Sequence, residues 1–411
     1  MSNAAALQRC TTGISAFGRW STIAIGVSIP ISIAVDNVLL AVVLLAWLVG
    51  AQYRAKLMFA SANPVYRAAL LLFTLLLAGT LYGDAAPGDA KLYLLKYLDL
   101  ALIPVMGWAF ISTTSREQGL RALACGLVLV LLISFAIKTG LIPPNPWLNG
   151  TPESPVVFKL SLTHNILMAF SGFLFAWLCC NARTRAAKIS WGSMSILAVV
   201  NTLLMVKGAT GYIALVGLSL LFGWQKFGIR GIAIATGSLL CLVTLLSLVP
   251  GPFQERVQLI AQELHIERAD RPASTSTGYR LEFYRNTLTL IHKQPVLGYG
   301  TGGFPAAYAD LVKGTGQTLS RNPHNEFMLV TVHIGLFGLA ALLWLLWQQW
   351  RFAPLLPTPL ERGLAQGLVV MTGIVCMLNS PLLDHTEGLL YAWLTALLYA
   401  GLKSGDYRVI K

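Results

Sequence analysis

A histidine and an asparagine, His324 and Asn325, stand directly after Pro323 and just before a long apolar run. An imidazole titrates near neutral pH, so it can take a proton from a hydroxyl group as a general base. Asparagine is also a favoured helix N-cap, and the alternative is that the pair only caps the helix that follows. His324 is the candidate catalytic residue, with Asn325 as a supporting neighbour.

Three basic residues are candidates for binding an anion. Arg280 stands in the first turn of a predicted helix from Tyr279 to about His292, where the backbone amides add to its positive charge. Arg321 lies three residues before His324. Lys207 lies in a short turn between two apolar runs, where an ammonium group is costly unless it meets an anion. The alternative for Lys207 is that it snorkels to the membrane surface.

Other polar residues in or beside the apolar runs are candidates for the walls of a cavity, because polar side chains inside membrane spans usually face one. They are Tyr284, His164, Asp384 and His385. The sequence has no cluster of carboxylates or histidines at metal-ligand spacing, no phosphate-binding P-loop and no serine elbow. We therefore expect a reaction without metal or cofactor, driven by cations and one histidine.

The composition places these residues in a membrane protein. Hydrophobic residues make up 55% of the 411 residues and charged residues only 11%, against about 25% charged residues in soluble domains. Apolar runs of membrane-spanning length recur along the chain. The sequence predicts an all-α, polytopic protein with about twelve transmembrane helices. The predicted spans are 20–35, 37–50, 65–83, 92–112, 119–137, 160–180, 189–206, 208–225, 229–249, 323–347, 363–379 and 381–402.

The charge distribution predicts the orientation. With both termini in the cytoplasm, the short inner loops carry 17 Lys and Arg residues and the short outer loops carry four, as the positive-inside rule requires. The net charge of +13 therefore reports topology and does not indicate a nucleic-acid partner. We expect a multi-pass membrane protein with both termini in the cytoplasm, no cleavable signal peptide and no disulfide.

The predicted organisation has three parts: nine spans in 1–249, a long outer loop in 250–322, and three spans with a cytoplasmic tail in 323–411. We expect the first two spans to form a hairpin broken at Pro30 and at Asp36-Asn37, because a continuous helix would leave Asp36 in lipid. Within the loop, 253–267 has the spacing of an amphipathic helix and 270–278 the composition of a linker.

The pattern Arg280-x-x-x-Tyr284, Pro295-x-x-Gly298-x-Gly300 and His324-Asn325-x-x-Met328 with Gly335-x-x-Gly338-Leu resembles the signature of the O-antigen ligase/polymerase superfamily of bacterial envelope glycosyltransferases. Within that superfamily the chain looks most like an O-antigen ligase. The alternative for the glycine-rich segment is a loop that only needs positive φ.

The resemblance implies a multi-pass glycosyltransferase of the bacterial inner (cytoplasmic) membrane with its active site on the periplasmic side, so that the loop 250–322 would be periplasmic. Its partners would be O-antigen carried on undecaprenyl diphosphate, the lipid A-core as acceptor, and membrane lipids. The resemblance assigns the family's histidine to His324 and its outer-loop arginine to Arg280. A middle-loop arginine of the family is matched by Lys207, which keeps the charge but loses the bidentate fork.

Direct displacement by the acceptor hydroxyl would invert the anomeric configuration, with His324 taking the proton and Lys207, Arg280 and Arg321 stabilising the diphosphate. Alternatives remain open at this stage. A polymerase of the same superfamily would use similar residues. A transporter of lipid-linked glycan would need a path through the membrane. A relative that glycosylates proteins is disfavoured, because only two spans and a short tail follow the tenth span.

Overall fold

The structure, a computed structural model, describes residues 3–83, 85–248, 254, 258 and 276–402. Every regular element in these residues is a helix, so the all-α prediction is confirmed for the part of the chain that is described. The principal helices are α1 (Asn3–Ser28), α2 (Ile33–Val49), α3 (Tyr53–Ala62), α4 (Pro64–Ala78), α5 (Pro87–Lys96), α6 (Leu98–Gly107), α7 (Thr113–Lys138), α8 (Ser161–Asn181), α9 (Arg185–Val200), α10 (Ala209–Leu248), α11 (Ser276–Lys293), α12 (Phe304–Val312), α13 (Glu326–Phe352), α14 (Pro359–Leu378) and α15 (His385–Tyr399).

Eight helical stretches in the described residues are long and apolar enough to cross a membrane. The number is nine if α2 and α3, which meet at 116°, form one broken span. The chain is therefore a helical membrane protein, as its composition predicts. The count of about twelve spans stays a prediction, because α15, with 15 residues, is shorter than a span usually needs.

Helix α10 contains a chain reversal at Gly228, which has a φ of 61° and a ψ of −141°. Eight residues span about 12 Å along a straight helix. A Cβ added at Gly223 would nevertheless lie 2.5 Å from the carbonyl oxygen of Gly231, and Leu242 packs on the cluster that contains Leu215. Two helices thus run back to back here, and their junction agrees with the predicted boundary between 208–225 and 229–249.

Helix α13 turns in the same way at Gly335, which has a φ of 65° and a ψ of −162°. A Cβ at Gly338 would lie 2.9 Å from a methyl group of Val330, eight residues earlier. The predicted single span 323–347 is therefore two helices, a short one that ends at Ile334 and a long one that follows. The short helix carries the His324 motif at its beginning and packs beside α5.

The predicted hairpin of the first two spans is present, with its break at 29–32 between α1 and α2. Asp36 lies in the first turn of α2 and not in the break. Its carboxylate is fully buried and accepts a hydrogen bond from the Ser28 hydroxyl. Burial inside the protein, and not a turn between two spans as predicted, therefore keeps the Asp36 carboxylate out of lipid.

Helices α8 and α14 are antiparallel and define the two ends of the molecule. Gly363, at the start of α14, contacts Trp177 near the end of α8, and Gly367 contacts Phe173 one turn further on. The Arg116 end is the one where Arg116 Nε and Glu361 Oε1 pair at 2.6 Å. The His324 end is the one where α14 ends and α8 begins.

In the predicted loop 250–322, helix α11 agrees with the predicted helix from Tyr279 to about His292. Helix α12 was not predicted, and it lies between the glycine-rich segment and Arg321. The predicted amphipathic helix 253–267 falls outside the described residues except for positions 254 and 258. The predicted linker 270–278 is described only at 276–278, and there the prediction is wrong, because these residues form the start of α11. The position of the loop relative to a membrane stays a prediction.

Candidate active site

His324 sits in a tight turn immediately before α13. Its φ is 55°, and its backbone N–H donates to Asn322 Oδ1 at 2.8 Å. The helix is capped by the next residue, since Asn325 Oδ1 accepts from the backbone N–H of Met328 at 3.0 Å. Asn325 therefore caps the helix, and the imidazole of His324 takes no part in the cap.

The imidazole of His324 is held through its Nδ1. This atom lies 3.1 Å from Asn379 Oδ1, and Asn379 Nδ2 donates to Asp384 Oδ2 at 3.2 Å. The carboxylate orients the amide so that its oxygen faces the ring, which assigns the proton of the neutral imidazole to Nδ1. Among the described residues Nε2 makes no hydrogen bond, so its lone pair is available to accept a proton.

Asn379 and Asp384 are fixed in turn by their surroundings. The carbonyl oxygen of Asn379 accepts from the N–H of Glu326 at 3.1 Å, which ties the end of α14 to the start of α13. Asp384 directly precedes α15, and its carboxylate accepts from Asn379. Asp384 therefore has the position of an orienting group behind the histidine. Asn379 was missed by the sequence analysis, and its only signal is its place just before Ser380-Pro381 at a helix end.

Helix α11 lies against the opposite side of His324. The ring of Phe283 stacks on the imidazole at 6.1 Å between centroids. The Tyr284 hydroxyl is 3.1 Å from the His324 carbonyl oxygen and 2.9 Å from that of Met377. Asn325 Nδ2 donates to the same Met377 oxygen at 3.1 Å. Tyr284 and Asn325 thus join α11, α13 and α14 around the histidine.

Arg280 lies one helical turn before Tyr284 on α11 and is half-buried. Burial raises the pKa of the Tyr284 phenol, and the positive charge of Arg280 opposes this shift. Among the described residues Arg280 forms no ion pair. The sequence-predicted pair of Arg280 and His324 is thus brought together by Tyr284.

Arg321 has an acidic partner that the sequence did not predict. Its guanidinium pairs with Asp89 of α5, and its carbonyl oxygen accepts from the Tyr93 hydroxyl. The side chain is nevertheless 63% exposed. A phosphate would have to compete with Asp89 for this guanidinium, whereas the same contacts hold the segment before His324 against α5.

Lys207 lies exposed in the turn between a π-helical segment, Asn201–Met205, and α10. The turn is fixed by Asn165 on α8, whose Nδ2 donates to the carbonyl oxygen of Val206 at 3.0 Å. Asn165 is near the start of α8, so Lys207 belongs to the His324 end of the molecule. The anion-binding role of Lys207 and Arg280 stays a prediction.

His164 is fully buried and contacts Asn201, in the π-helical segment that precedes the Lys207 turn. Its Nε2 lies 3.0 Å from Asn201 Oδ1, and its Nδ1 accepts from the N–H of Val157 at 3.3 Å. Because both ring nitrogens are occupied, His164 has the contacts of a bracing residue. The structure does not show it at the surface of a polar cavity.

The neighbours Asp384 and His385 face different partners. Asp384 faces Asn379, whereas His385 Nε2 lies 3.4 Å from Asp36 Oδ2, across from α2. Both line a cavity of about 490 Å3 between α2, α5, α6 and the start of α15. Its lining is largely leucine, with Lys96 and Asp99 as its other charged residues. An apolar cavity therefore opens beside the carboxylate that orients Asn379.

No three His, Cys, Asp or Glu side chains within the described ranges are grouped to hold a metal ion. The expectation of a metal-free reaction stays a prediction.

A family model described as O-Antigen ligase matches residues 194–343. The match spans Lys207, Arg280, Arg321 and His324, and it ends before Asn379. Comparison with the curated proteins gives no match.

One solved structure, from work described as "Structural coordination of polymerization and crosslinking by a peptidoglycan synthase complex", aligns with 83% of this chain and 97% of its own at 18% identity, with a TM-score of 0.47. A TM-score of this size does not establish a common fold.

Proposed function

Because residues 194–343 match the O-antigen ligase model, which confirms the resemblance of this chain to the O-antigen ligase superfamily, we propose that the protein is an O-antigen ligase. It transfers polysaccharide from undecaprenyl diphosphate to the lipid A-core at the periplasmic face of the inner membrane. The reaction is a metal-independent, inverting glycosyl transfer. The observation that carries this proposal is the imidazole of His324, anchored by Nδ1 and open at Nε2.

The acceptor of such a transfer is a sugar hydroxyl, which is too weakly acidic to react unaided at neutral pH. The hydroxyl oxygen attacks the anomeric carbon while Nε2 of His324 takes its proton. The bond between the anomeric carbon and the diphosphate oxygen breaks, and the diphosphate leaves with the electron pair. The imidazolium that forms is stabilised by Asn379 and, behind it, by the carboxylate of Asp384.

Negative charge grows on the diphosphate oxygens as this bond breaks. A fixed cation at that position lowers the barrier because it is already oriented before the charge appears. Arg280 is the best placed, since it lies one turn from the tyrosine that contacts the His324 turn. Lys207 supplies a second charge from a turn at the same end of the molecule. Arg321 is a third cation only when a phosphate displaces Asp89.

The leucine-lined cavity beside Asp384 suits the polyprenyl chain of the donor. An isoprenoid chain is apolar along its whole length, so it lies along the leucines of this lining and not against Lys96 and Asp99. This placement puts the lipid next to the orienting carboxylate and leaves the glycan near Nε2.

The test compares two histidine variants in proteoliposomes supplied with lipid-linked glycan and a lipid A-core acceptor. His324→Ala should lower the transfer rate about 10²–10⁴-fold, the usual loss when a general base is removed. His292→Ala is the control, because His292 is exposed on α11 and its ring contacts only the Leu288 carbonyl oxygen among the described residues. Near-normal transfer by the His324→Ala variant would remove the basis of the mechanism.

A polymerase of the same superfamily is the second candidate, because the family match does not distinguish the two activities. The distinction is visible on a gel of lipopolysaccharide from a deletion strain. Loss of a ligase leaves bare core, whereas loss of a polymerase leaves single repeats on the core. Movement of labelled lipid without glycan transfer would indicate a transporter.

A further inference from the structure

A second cavity lies at the Arg116 end, far from His324. It has a volume of about 400 Å3 and is enclosed by α1, α2, α3 and the segment that joins α6 to α7. Arg19 and Lys56 are the charged residues of its lining, and no Asp or Glu is among the residues that surround it. The cavity, here named the basic cavity, therefore holds two cations without a carboxylate.

Lys56 is the unusual member of this lining. The residue is only 3% exposed, and its ammonium group donates to the carbonyl oxygen of Trp47. The ammonium also lies 4.8 Å from the centre of the Trp47 ring and 5.5 Å from that of Tyr53. These contacts use the face of two rings and one carbonyl, and none supplies a negative charge. A buried ammonium without a counter-charge is unfavourable, so an anion would stabilise it.

Trp47 provides a second, independent observation. Its indole Nε1 is buried and has no hydrogen-bond partner among the residues that the structure describes, and Trp47 lines the basic cavity. Buried indole N–H groups usually find an acceptor. The described lining of the cavity thus contains a neutral N–H donor without an acceptor and two cations without a carboxylate.

The rest of the lining is apolar and lies beside a surface helix. Val43, Val105 and Ile111 contribute aliphatic side chains. Helix α3 bends by 116° from α2 and exposes Leu57 and Met58, as a helix at a membrane interface does. The positive-inside prediction assigns this end to the cytoplasmic leaflet, where anionic lipids attract basic groups.

We propose that the basic cavity binds an anionic phospholipid, whose phosphate accepts hydrogen bonds from Lys56, Arg19 and the indole N–H of Trp47. The start of an acyl chain lies along the aliphatic lining. The lipid neutralises a buried ammonium and joins α1, α2 and α3 at the Arg116 end. This site is separate from glycan transfer, and the inference does not depend on the proposed function.

The test is native mass spectrometry of the full-length, delipidated protein titrated with dioleoylphosphatidylglycerol or dioleoylphosphatidylcholine. The unmodified protein should retain the phosphatidylglycerol in preference to the phosphatidylcholine. Lys56→Met and Arg19→Gln should each weaken phosphatidylglycerol binding about fivefold, as expected for one basic group near an anionic headgroup. Arg54→Gln is the matched control, because Arg54 is exposed on the same helix and does not line the cavity.

Three results would overturn the proposal: equal retention of the two lipids, unchanged phosphatidylglycerol binding in the Lys56→Met variant, or thermal stabilisation by inorganic phosphate that equals stabilisation by the lipid. The last result would identify a site for free phosphate. If Lys56→Met does not fold, Trp47→Phe keeps a ring and removes the N–H. It should reduce the preference for phosphatidylglycerol while phosphatidylcholine binding stays the same, and an unchanged preference would also overturn the proposal.

Discussion

Replacing Asn379 with alanine tests whether this residue acts through the histidine. The variant removes the acceptor of the His324 Nδ1 bond, which is 3.1 Å long, and keeps the backbone carbonyl that accepts from Glu326. His324 and its Nε2 remain. The ring loses its fixed orientation, and the imidazolium formed during transfer loses a stabilising contact.

The expected loss follows from these contacts. Removing the partner that orients a metal-bound histidine typically costs about 10–100-fold. We expect the same range for this general base, which corresponds to about 1.4–2.7 kcal/mol in the activation free energy. That is smaller than the loss of about 10²–10⁴-fold expected when the base itself is removed. Because Asn379 makes no hydrogen bond to Arg280 or Arg321 among the described residues, the loss should fall on the rate at saturating donor, and donor affinity should not change.

The assay is single-turnover glycan transfer in proteoliposomes, with donor binding measured alongside. Asn181→Ala serves as the control, since its Nδ2 donates to the Trp177 carbonyl oxygen at the Arg116 end. The double variant His324→Ala/Asn379→Ala should be no slower than His324→Ala, because two residues that act as one unit are not additive. A double variant whose loss equals the product of the two single losses would show that Asn379 acts independently of the base.

The remaining predictions concern charge and metal. Arg280→Lys should impair both donor binding and turnover, because the planar fork of the guanidinium is lost. Lys207→Arg should be tolerated, because the positive charge is kept. Calorimetry with lipid-linked donor measures the binding, and transfer assays measure the turnover. Transfer should persist in excess EDTA, as measured with purified protein, donor and acceptor. Glu361→Ala should destabilise the fold by about 3–5 kcal/mol, because it leaves the buried Arg116 charge without its partner. Both side chains are at most 4% exposed. Thermal unfolding in detergent measures the loss of stability.

Each of these expectations has a contradicting result. Unchanged donor affinity and turnover in alanine variants of both Arg280 and Lys207 would place the diphosphate elsewhere. Loss of transfer in EDTA that magnesium or manganese restores would contradict a metal-free mechanism. For Glu361, the control is Glu117→Ala, which breaks an ion pair with more than half of each side chain exposed. Equal losses of stability in the Glu361→Ala and Glu117→Ala variants would mean that burying the Arg116–Glu361 pair does not increase its contribution to the free energy of unfolding.

Much of the local structure could be predicted because it is encoded within single segments. Apolar runs indicated the helices, and the reversal at Gly228 separates two runs that had been predicted as separate spans. The cap at Asn325 and the helix containing Arg280 also follow from a few consecutive residues. Helical periodicity and capping depend on neighbours within about four residues, so the sequence carries them directly.

The contacts that orient the candidate site depend on several helices at once and could not be derived in this way. Asn379 meets His324 from 55 positions away, and the Arg321 partner, Asp89, is 232 positions away in α5. The turn at Gly335 divides a run that looks continuous in hydropathy. It brings α13 against the glycine-rich segment, since the N–H of Leu336 donates to the carbonyl oxygen of Pro295. Which side chains meet between helices is fixed by the angles and depths at which the helices pack. The sequence therefore determined that a histidine and several cations lie near one end of a helical bundle, and only the tertiary structure decided which nitrogen of that histidine is held and which is open.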